Sequence, residues 1–278
     1  MPEQKREFTY TRRDFNHLCQ LVDRHTGIQL TDGKEDMLYG RLSRRIRKVG
    51  LSSFKDYIDL LEHDEDGDEF GEFINAVTTN LTSFFREAHH FDYLKKTVLP
   101  ELIKSNSASR RIRIWSAGSS TGEEPYSIAM TVAETMPPGW DVKILATDLD
   151  TDVLQHGEHG VYDETRVEGL DKSVVKRWFS KNSSQPGKVR VKSELQDLIY
   201  FRQLNLLKDW PMKGPVDIIF CRNVIIYFDM PTKQKLMNRY ADMLKSSGHL
   251  FLGHSEAMNN MSTRFSLCGK SVYAKRGS

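Results

Sequence analysis

Long apolar runs are missing from this 278-residue sequence, so no membrane-spanning helix is expected. Cysteine is scarce as well. Cys19, Cys221 and Cys268 stand far apart, which excludes both a paired zinc spacing and the dense framework of a small secreted domain, and fits a reducing cytosol. There is no charge excess either: 40 Lys and Arg against 38 Asp and Glu leave +2. Any attraction to nucleic acid or to an anionic membrane would therefore have to be local. The first residues, MPEQKREFTYTRRD, lack the apolar core of a signal peptide. His89, His90, His156, His159, His249 and His254 show no matching set of ligands, so no metal is expected. What is present is the composition of a soluble globular protein, 38% hydrophobic and 28% charged, expected in the cytoplasm. Its length allows one large domain, or one medium and one small.

The apolar pattern divides the chain. Up to about residue 85 it is helical: FNHLCQLVDRHTG, KEDMLYGRLSRRIRKVG and SSFKDYIDLLEHD carry apolar residues at helical spacing, and Gly27 and Gly50 stand where C-terminal glycines would. The acidic run EHDEDGDE (62–69) lacks calcium-loop spacing and reads as a solvated turn before a fourth helix, EFGEFINAVTTNLTSFF. From residue 108 short apolar runs alternate with helical patterns: RIRIW then a helix from Tyr126, VKILATD then one from Thr151, VDIIFCR then one from Thr232, and HLFLGHSE. That alternation predicts a parallel α/β sheet. RFSLCG and KSVYAKR predict a terminal antiparallel hairpin; with DLIYFRQ they bring the count to seven strands. Residues 157–203 form a detour holding a short helix at DKSVVKRWF, a turn at Gln185-Pro186-Gly187 and the strand KVRVK.

The richest stretch is RIRIWSAGSSTGEEPYSIAM (111–130): a strand, a loop of very small residues, then Glu123 and Glu124 opening a helix. Such a turn lets backbone N–H groups approach a ligand. A Walker loop needs a lysine after its second glycine, and none follows Gly122; the dinucleotide pattern G-x-G-x-x-G is absent too. Carboxylates beside the loop would repel a pyrophosphate and suit a cation or an amino group. S-adenosylmethionine (SAM) carries a sulfonium and an amino group and no phosphate, and Asp148, at the end of the second strand, is an acid suited to ribose hydroxyls. A plain strand-to-helix turn with favourable first-turn acids remains the other reading of these residues.

WSAGSSTGEEPYS, preceded by TTNLTSFFREAHHF (78–91) and followed by FCRNVIIYF (220–228), resembles the chemotaxis receptor glutamate methyltransferase (CheR) family, over a span from about Phe15 to Tyr273. Ser119 stands where cysteine is frequent in that family. The resemblance implies an all-helical N-terminal domain, 1–85, joined to a seven-stranded Rossmann-like SAM-dependent methyltransferase domain, 86–278, with a small β insertion, 157–203. It implies transfer of a methyl group from SAM to receptor glutamates, leaving S-adenosylhomocysteine. Residue by residue, it implies that Asn80, Thr82 and Arg86 reach the cofactor. Glu124 meets it at the glycine loop and Asp148 at the ribose. Asn205 and Leu206 flank the adenine, and Arg222 and Asn223 line the pocket. Arg86 and Tyr227 are the implied catalytic pair.

A glutamate acceptor is already ionised at neutral pH, so the absence of a Cys/His or Ser/His/Asp constellation is expected. In the N-terminal domain Leu38, Leu42, Ile46 and Val49 form an apolar stripe beside a basic one of Arg41, Arg44 and Lys48. That stripe reads as a solvated face or as a docking surface for acidic receptor helices; nucleic acid is disfavoured by the absence of interleaved aromatics. The partners expected are chemotaxis receptors, through their methylation helices and a C-terminal tail peptide taken up by the insertion. The rival readings are an amino-group methyltransferase, whose Pro-Pro-aromatic signature RNVIIYF lacks, and a catalytically silent receptor-binding adaptor.

Overall fold

The computed structural model describes residues 6–65, 67–181, 185–258 and 260–277. The chain divides into two compact units: one takes the residues up to Thr79 together with Tyr227–Asp229, the other takes Asn80–Ile226 and the chain from Met230 onward. The first unit thus ends six residues before the boundary expected from the sequence.

Among the described residues the first unit contains four α-helices, α1 (Arg12–Thr26), α2 (Glu35–Val49), α3 (Phe54–His63) and α4 (Asp68–Val77), with a 3-10 turn at Asp32–Lys34 leading into α2. Helix α1 starts in a capping box, with the Thr11 hydroxyl accepting from Asp14 N–H and the Asp14 carboxylate accepting from Thr11 N–H. Gly27 and Gly50 end α1 and α2 with φ of 69° and 76°, left-handed values that glycine adopts without strain. Phe15, Leu18, Leu38, Leu42, Ile46, Phe54 and Phe73 are completely or almost completely buried.

The acidic run is not merely solvated. Glu62 pairs with His17, Glu65 with Arg24 and His25, and Glu69 with Arg45, which also holds Glu72. Asp66, in the same run, lies outside the described residues. Helix α4 stops at Val77 rather than running on through TTNLTSFF. Thr78 is extended (ψ 152°), Arg41 takes the carbonyls of Ala76 and Thr78, and Phe85 and Glu87 have positive φ, 52° and 58°.

The second unit opens with α5 (His89–Tyr93), which continues through a π-helical turn at Leu94–Val98 into α6 (Leu99–Ser105). There follow β1 (Arg111–Ala117), α7 (Glu123–Thr135), β2 (Asp141–Asp148) and α8 (Thr151–His159). The detour contains β3 (Val161–Asp163), α9 (Lys172–Trp178), β4 (Phe179–Lys181), β5 (Lys188–Val191) and α10 (Ser193–Gln196). The chain then returns through β6 (Ile199–Gln203), β7 (Val216–Cys221), α11 (Met230–Met243), β8 (Leu244–Leu252), β9 (Phe265–Gly269) and β10 (Val272–Lys275).

The main sheet has seven strands in the order β6-β2-β1-β7-β8-β10-β9. It is parallel from β6 to β8, and the β9–β10 hairpin closes one edge antiparallel. Strand order reverses beside β1, and the carboxyl ends of β1, β2 and β7 are therefore where a ligand crevice opens in such sheets. The detour is a separate antiparallel sheet, β3-β5-β4. Its KVRV strand is central and not at an edge, because the residues on both sides of it fold back as its partners. Val189 and Val191 are buried, as their alternation requires.

Candidate active site

At the end of β1 the chain turns through Gly118 (φ 95°) and reaches α7 through Gly122 (φ 98°). A side chain at Gly118 would also run into Val224 Cγ2. The loop is laced to β2: Gly118 and Ser119 N–H donate to the Thr147 carbonyl at 2.8 and 2.9 Å, and Ser120 N–H donates to Asp148 Oδ2 at 2.8 Å. Asp150 N–H reaches Asp148 Oδ1 at 3.1 Å. Burial pushes the Asp148 carboxyl up to about 6, and the Ser120 and Asp150 N–H groups pull it only part of the way back. Leu204 N–H donates to the Asp148 carbonyl at 2.9 Å, bringing Asn205 and Leu206 alongside; Asn205 Oδ1 caps Leu207 N–H at 2.9 Å.

Beneath the loop the two glutamates of α7 are buried. Glu124 Oε1 accepts from Ser116 Oγ at 2.7 Å and Oε2 from Arg222 Nη1 at 3.1 Å. Burial raises the Glu124 pKa, and Arg222 is the foremost group opposing that rise. Arg222 also donates to the Arg86 carbonyl and lies 3.4 Å from Glu87 Oε2. Glu123 accepts from Thr121 Oγ1 at 2.6 Å and from Arg166, which in turn donates to the Thr82 carbonyl at 2.8 Å.

The segment after residue 79 is pinned against the loop. Asn80 Nδ2 donates to Asp150 Oδ2 at 2.7 Å, Ser120 Oγ donates to the Asn80 carbonyl at 3.0 Å, and Arg86 Nη1 donates to the Leu81 carbonyl at 2.8 Å. Asn223, at φ 59°, donates its N–H to Glu256 Oε2 at 2.7 Å.

These residues suit a ligand that brings hydroxyls and a cationic centre and no phosphate. Glu123, Glu124, Asp148 and Asp150 crowd the loop with negative charge, while Arg166 and Arg222 are already engaged with carboxylates. Two buried polar atoms here, Ser119 Oγ and Arg222 Nε, have no protein partner. Buried polar groups are nearly always satisfied, so atoms like these mark where a ligand or a water completes the set.

The family model described as "CheR methyltransferase, SAM binding domain" matches residues 80–274, and that described as "CheR methyltransferase, all-alpha domain" matches residues 13–78. The chain belongs to the CheR methyltransferase family. The chemotaxis protein methyltransferase of Escherichia coli K12 is 44% identical over 265 residues, covering 94% of this chain and 90% of that protein. Chemotaxis protein methyltransferase 2 of Pseudomonas aeruginosa is 44% identical over 274 residues, covering 96% and 95%. Among solved structures, a geranyl diphosphate methyltransferase in complex with GPP and sinefungin matches with a TM-score of 0.35 and 14% identity, over 60% of this chain and 44% of that one, too distant to carry an argument. The two CheR matches meet at residue 79, where the compact units also divide.

Within this CheR-family chain the second unit gathers Asn80, Thr82, Arg86, Glu124, Asp148, Asn205, Leu206, Arg222 and Asn223 around the ends of β1, β2, β6 and β7. Both oxygens of Glu124 are engaged, one by Ser116 and the other by Arg222. Tyr227 groups with the first unit, where Gln29 N–H donates to its carbonyl at 2.8 Å. Of the basic stripe, Arg44 and Lys48 are exposed, as is Arg47, whereas Arg41 is half-buried on the end of α4.

Sequence reasoning missed Asp150, Glu87 and Glu256. Glu256 is 2% exposed and accepts from the N–H groups of Asn223 and Gly253, each at 2.7 Å, and of Ile226 at 3.2 Å. Burial raises its pKa against those hydrogen bonds. It clamps the segment that carries Asn223. The one sequence signal for it was an acid in GHSE directly after an apolar strand.

Proposed function

We propose that this chain transfers the methyl group of SAM to glutamate side chains of chemotaxis receptors, forming methyl esters and S-adenosylhomocysteine and so setting receptor adaptation. The observation that carries the reading is the glycine loop walled by carboxylates, with Asp148 at the end of β2, in a chain matched by both CheR family models. SAM supplies an electrophilic methyl group. The acceptor arrives ionised, since an ordinary glutamate has a pKa of about 4.3, and no general base is required. The protein's task is then to align the carboxylate with the methyl group and to strip part of its water.

In this reading Asp148 accepts from ribose hydroxyls, and Asn205 and Leu206 border the base. Ser119 Oγ and Arg222 Nε complete the polar contacts. Arg86 holds a carboxylate, the acceptor's or the cofactor's, in its forked guanidinium. Tyr227 orients the acceptor through its hydroxyl. Asn80, Thr82 and Asn223 supply the walls.

The finer partner readings rest on surface chemistry. Arg44 and Lys48 steer the acidic helices of the receptor, with Arg41 kept in place as a helix cap. A receptor tail peptide would add beside β3 or β4, the outer strands of the insertion, since β5 has neighbours on both sides. The deciding experiment incubates the protein with methyl-labelled SAM and receptor fragments. Base-labile label that disappears when the receptor's glutamates are replaced by alanine supports the reading. Base-stable label, or none with any receptor fragment, overturns it.

A further inference from the structure

Behind the cofactor segment, Glu87-Ala88-His89-His90 folds into something the methyl transfer does not use. Glu87, His89 and His90 each offer one ligand atom, and these three atoms lie within 4.8 Å of one another. His90 is completely buried, and its Nε2 lies 2.9 Å from the Lys270 carbonyl oxygen. A carbonyl only accepts, so Nε2 carries the proton and Nδ1 presents a bare lone pair. That Nδ1 is buried with no hydrogen-bond partner, and it faces a second acceptor, Glu87 Oε2, at 3.4 Å. His89 Nε2 is likewise buried with no partner. Three acceptor-capable atoms converge where nothing donates to two of them.

An imidazole fixed by an N–H···O=C bond on its far nitrogen is the usual support of a metal-bound histidine. Two imidazoles with one carboxylate suit a borderline divalent ion such as zinc, cobalt or nickel; calcium and magnesium prefer all-oxygen sets. Of the three residues, His89 lines an open groove of about 280 Å³ with Tyr93, Lys96 and Lys270, while His90 stays in the core. Competing donors on Glu87 are Arg222, 3.4 Å from Oε2, and His254, whose exposed ring Nδ1 lies 3.0 Å from Oε1 and whose backbone N–H donates to Oε2 at 3.1 Å. We propose that Glu87, His89 and His90 form a binding site for a divalent transition metal of the zinc class, next to the arginine that anchors Glu124. The ligand set was invisible in the sequence because a run of Glu-x-His-His has no metal spacing until the positive φ of Glu87 folds it back.

The test is a titration of the full-length, chelator-stripped protein with cobalt(II), followed by visible absorption and calorimetry. One equivalent should bind with a ligand-field band and no thiolate-to-cobalt charge-transfer band. His89→Gln should weaken binding tenfold or more while S-adenosylhomocysteine affinity and the circular dichroism spectrum stay as in the parent. His90→Gln, whose ring is in the core, is read in parallel only if its spectrum is that of the parent. Failure of cobalt to bind at equimolar concentration overturns the site and leaves a buried water as the partner of these atoms. A thiolate band, or affinity unchanged in His89→Gln, also overturns it, by moving the ion to a cysteine or to another surface.

Discussion

Asp148 carries opposite requirements for folding and for binding. Its folded pKa of about 6 lies above the ordinary aspartate value, so the unliganded fold favours the protonated carboxyl. The stability this group contributes is therefore full below about pH 4 and is lost as pH rises through 6. Ribose hydroxyls need the ionised form as acceptor. The parent's melting temperature should therefore fall as pH rises from about 4 through 6, and this fall should be smaller in Asp148→Asn, whose amide faces the Ser120 or Asp150 N–H with a donor at every pH. The same variant should weaken S-adenosylhomocysteine binding by roughly 1–3 kcal/mol in calorimetry, the usual scale for a lost hydrogen bond to a charged group. In the parent, affinity should fall as pH drops below about 6. A variant that binds as tightly as the parent would take Asp148 out of the site.

Arg86→Ala should lower kcat by an order of magnitude or more, and Arg86→Lys should recover only part of it, because an ammonium has no fork. Glu256→Gln tests positioning. It puts an amide N–H₂ among N–H donors, and should cost about 1–3 kcal/mol of stability and reduce kcat more than it weakens cofactor binding. Equal loss in both would make Glu256 merely structural.

At the scale of elements, the glycine turn and the basic helix make separate predictions. Gly118→Ala puts a methyl group into Val224 at a backbone conformation that alanine resists, so cofactor affinity should fall even if the protein folds. Arg44→Glu with Lys48→Glu on α2 should raise the receptor KM and flatten its salt dependence, with cofactor affinity unchanged. Arg41→Ala should instead cost about 1 kcal/mol of thermal stability, since it removes a cap from the last carbonyls of α4. If receptor KM is indifferent to the double reversal at low salt, α2 is a solvated face.

The regular elements were legible because periodicity reports burial directly. RIRIW and VKILATD became β1 and β2, and the two glycines ended α1 and α2 where expected. What the sequence hid was non-local. Nothing in EFGEFINAVTTNLTSFF says that Arg41, thirty-odd positions earlier, takes the carbonyls that stop α4. Nor does KVRVK reveal that chain on both sides folds back to make it central. Of the positions named from the family motifs, Asn80, Glu124, Asp148 and Arg222 are tied by hydrogen bonds to the loops and strand ends of β1, β2 and β7, whereas Glu87, Asp150 and Glu256 are recognisable only once the loops they brace are folded.

On the scale of the molecule, the boundary at residue 79 is a convenient place to cut the sequence but not the structure. Tyr227–Asp229 belong with the first unit, and Gln29 N–H bonds to the Tyr227 carbonyl. The chain thus leaves its catalytic half for three residues and comes back at Met230. A chimaera that grafts a foreign helical half onto residues 80–278 therefore imports the wrong seat for those three residues, one of them the tyrosine assigned to the acceptor. Such hybrids should keep calorimetric affinity for S-adenosylhomocysteine yet turn over slowly. Swapping 227–229 together with the helical half should restore turnover. Residues 227–229 are in that sense on loan from the second half of the sequence to the first unit.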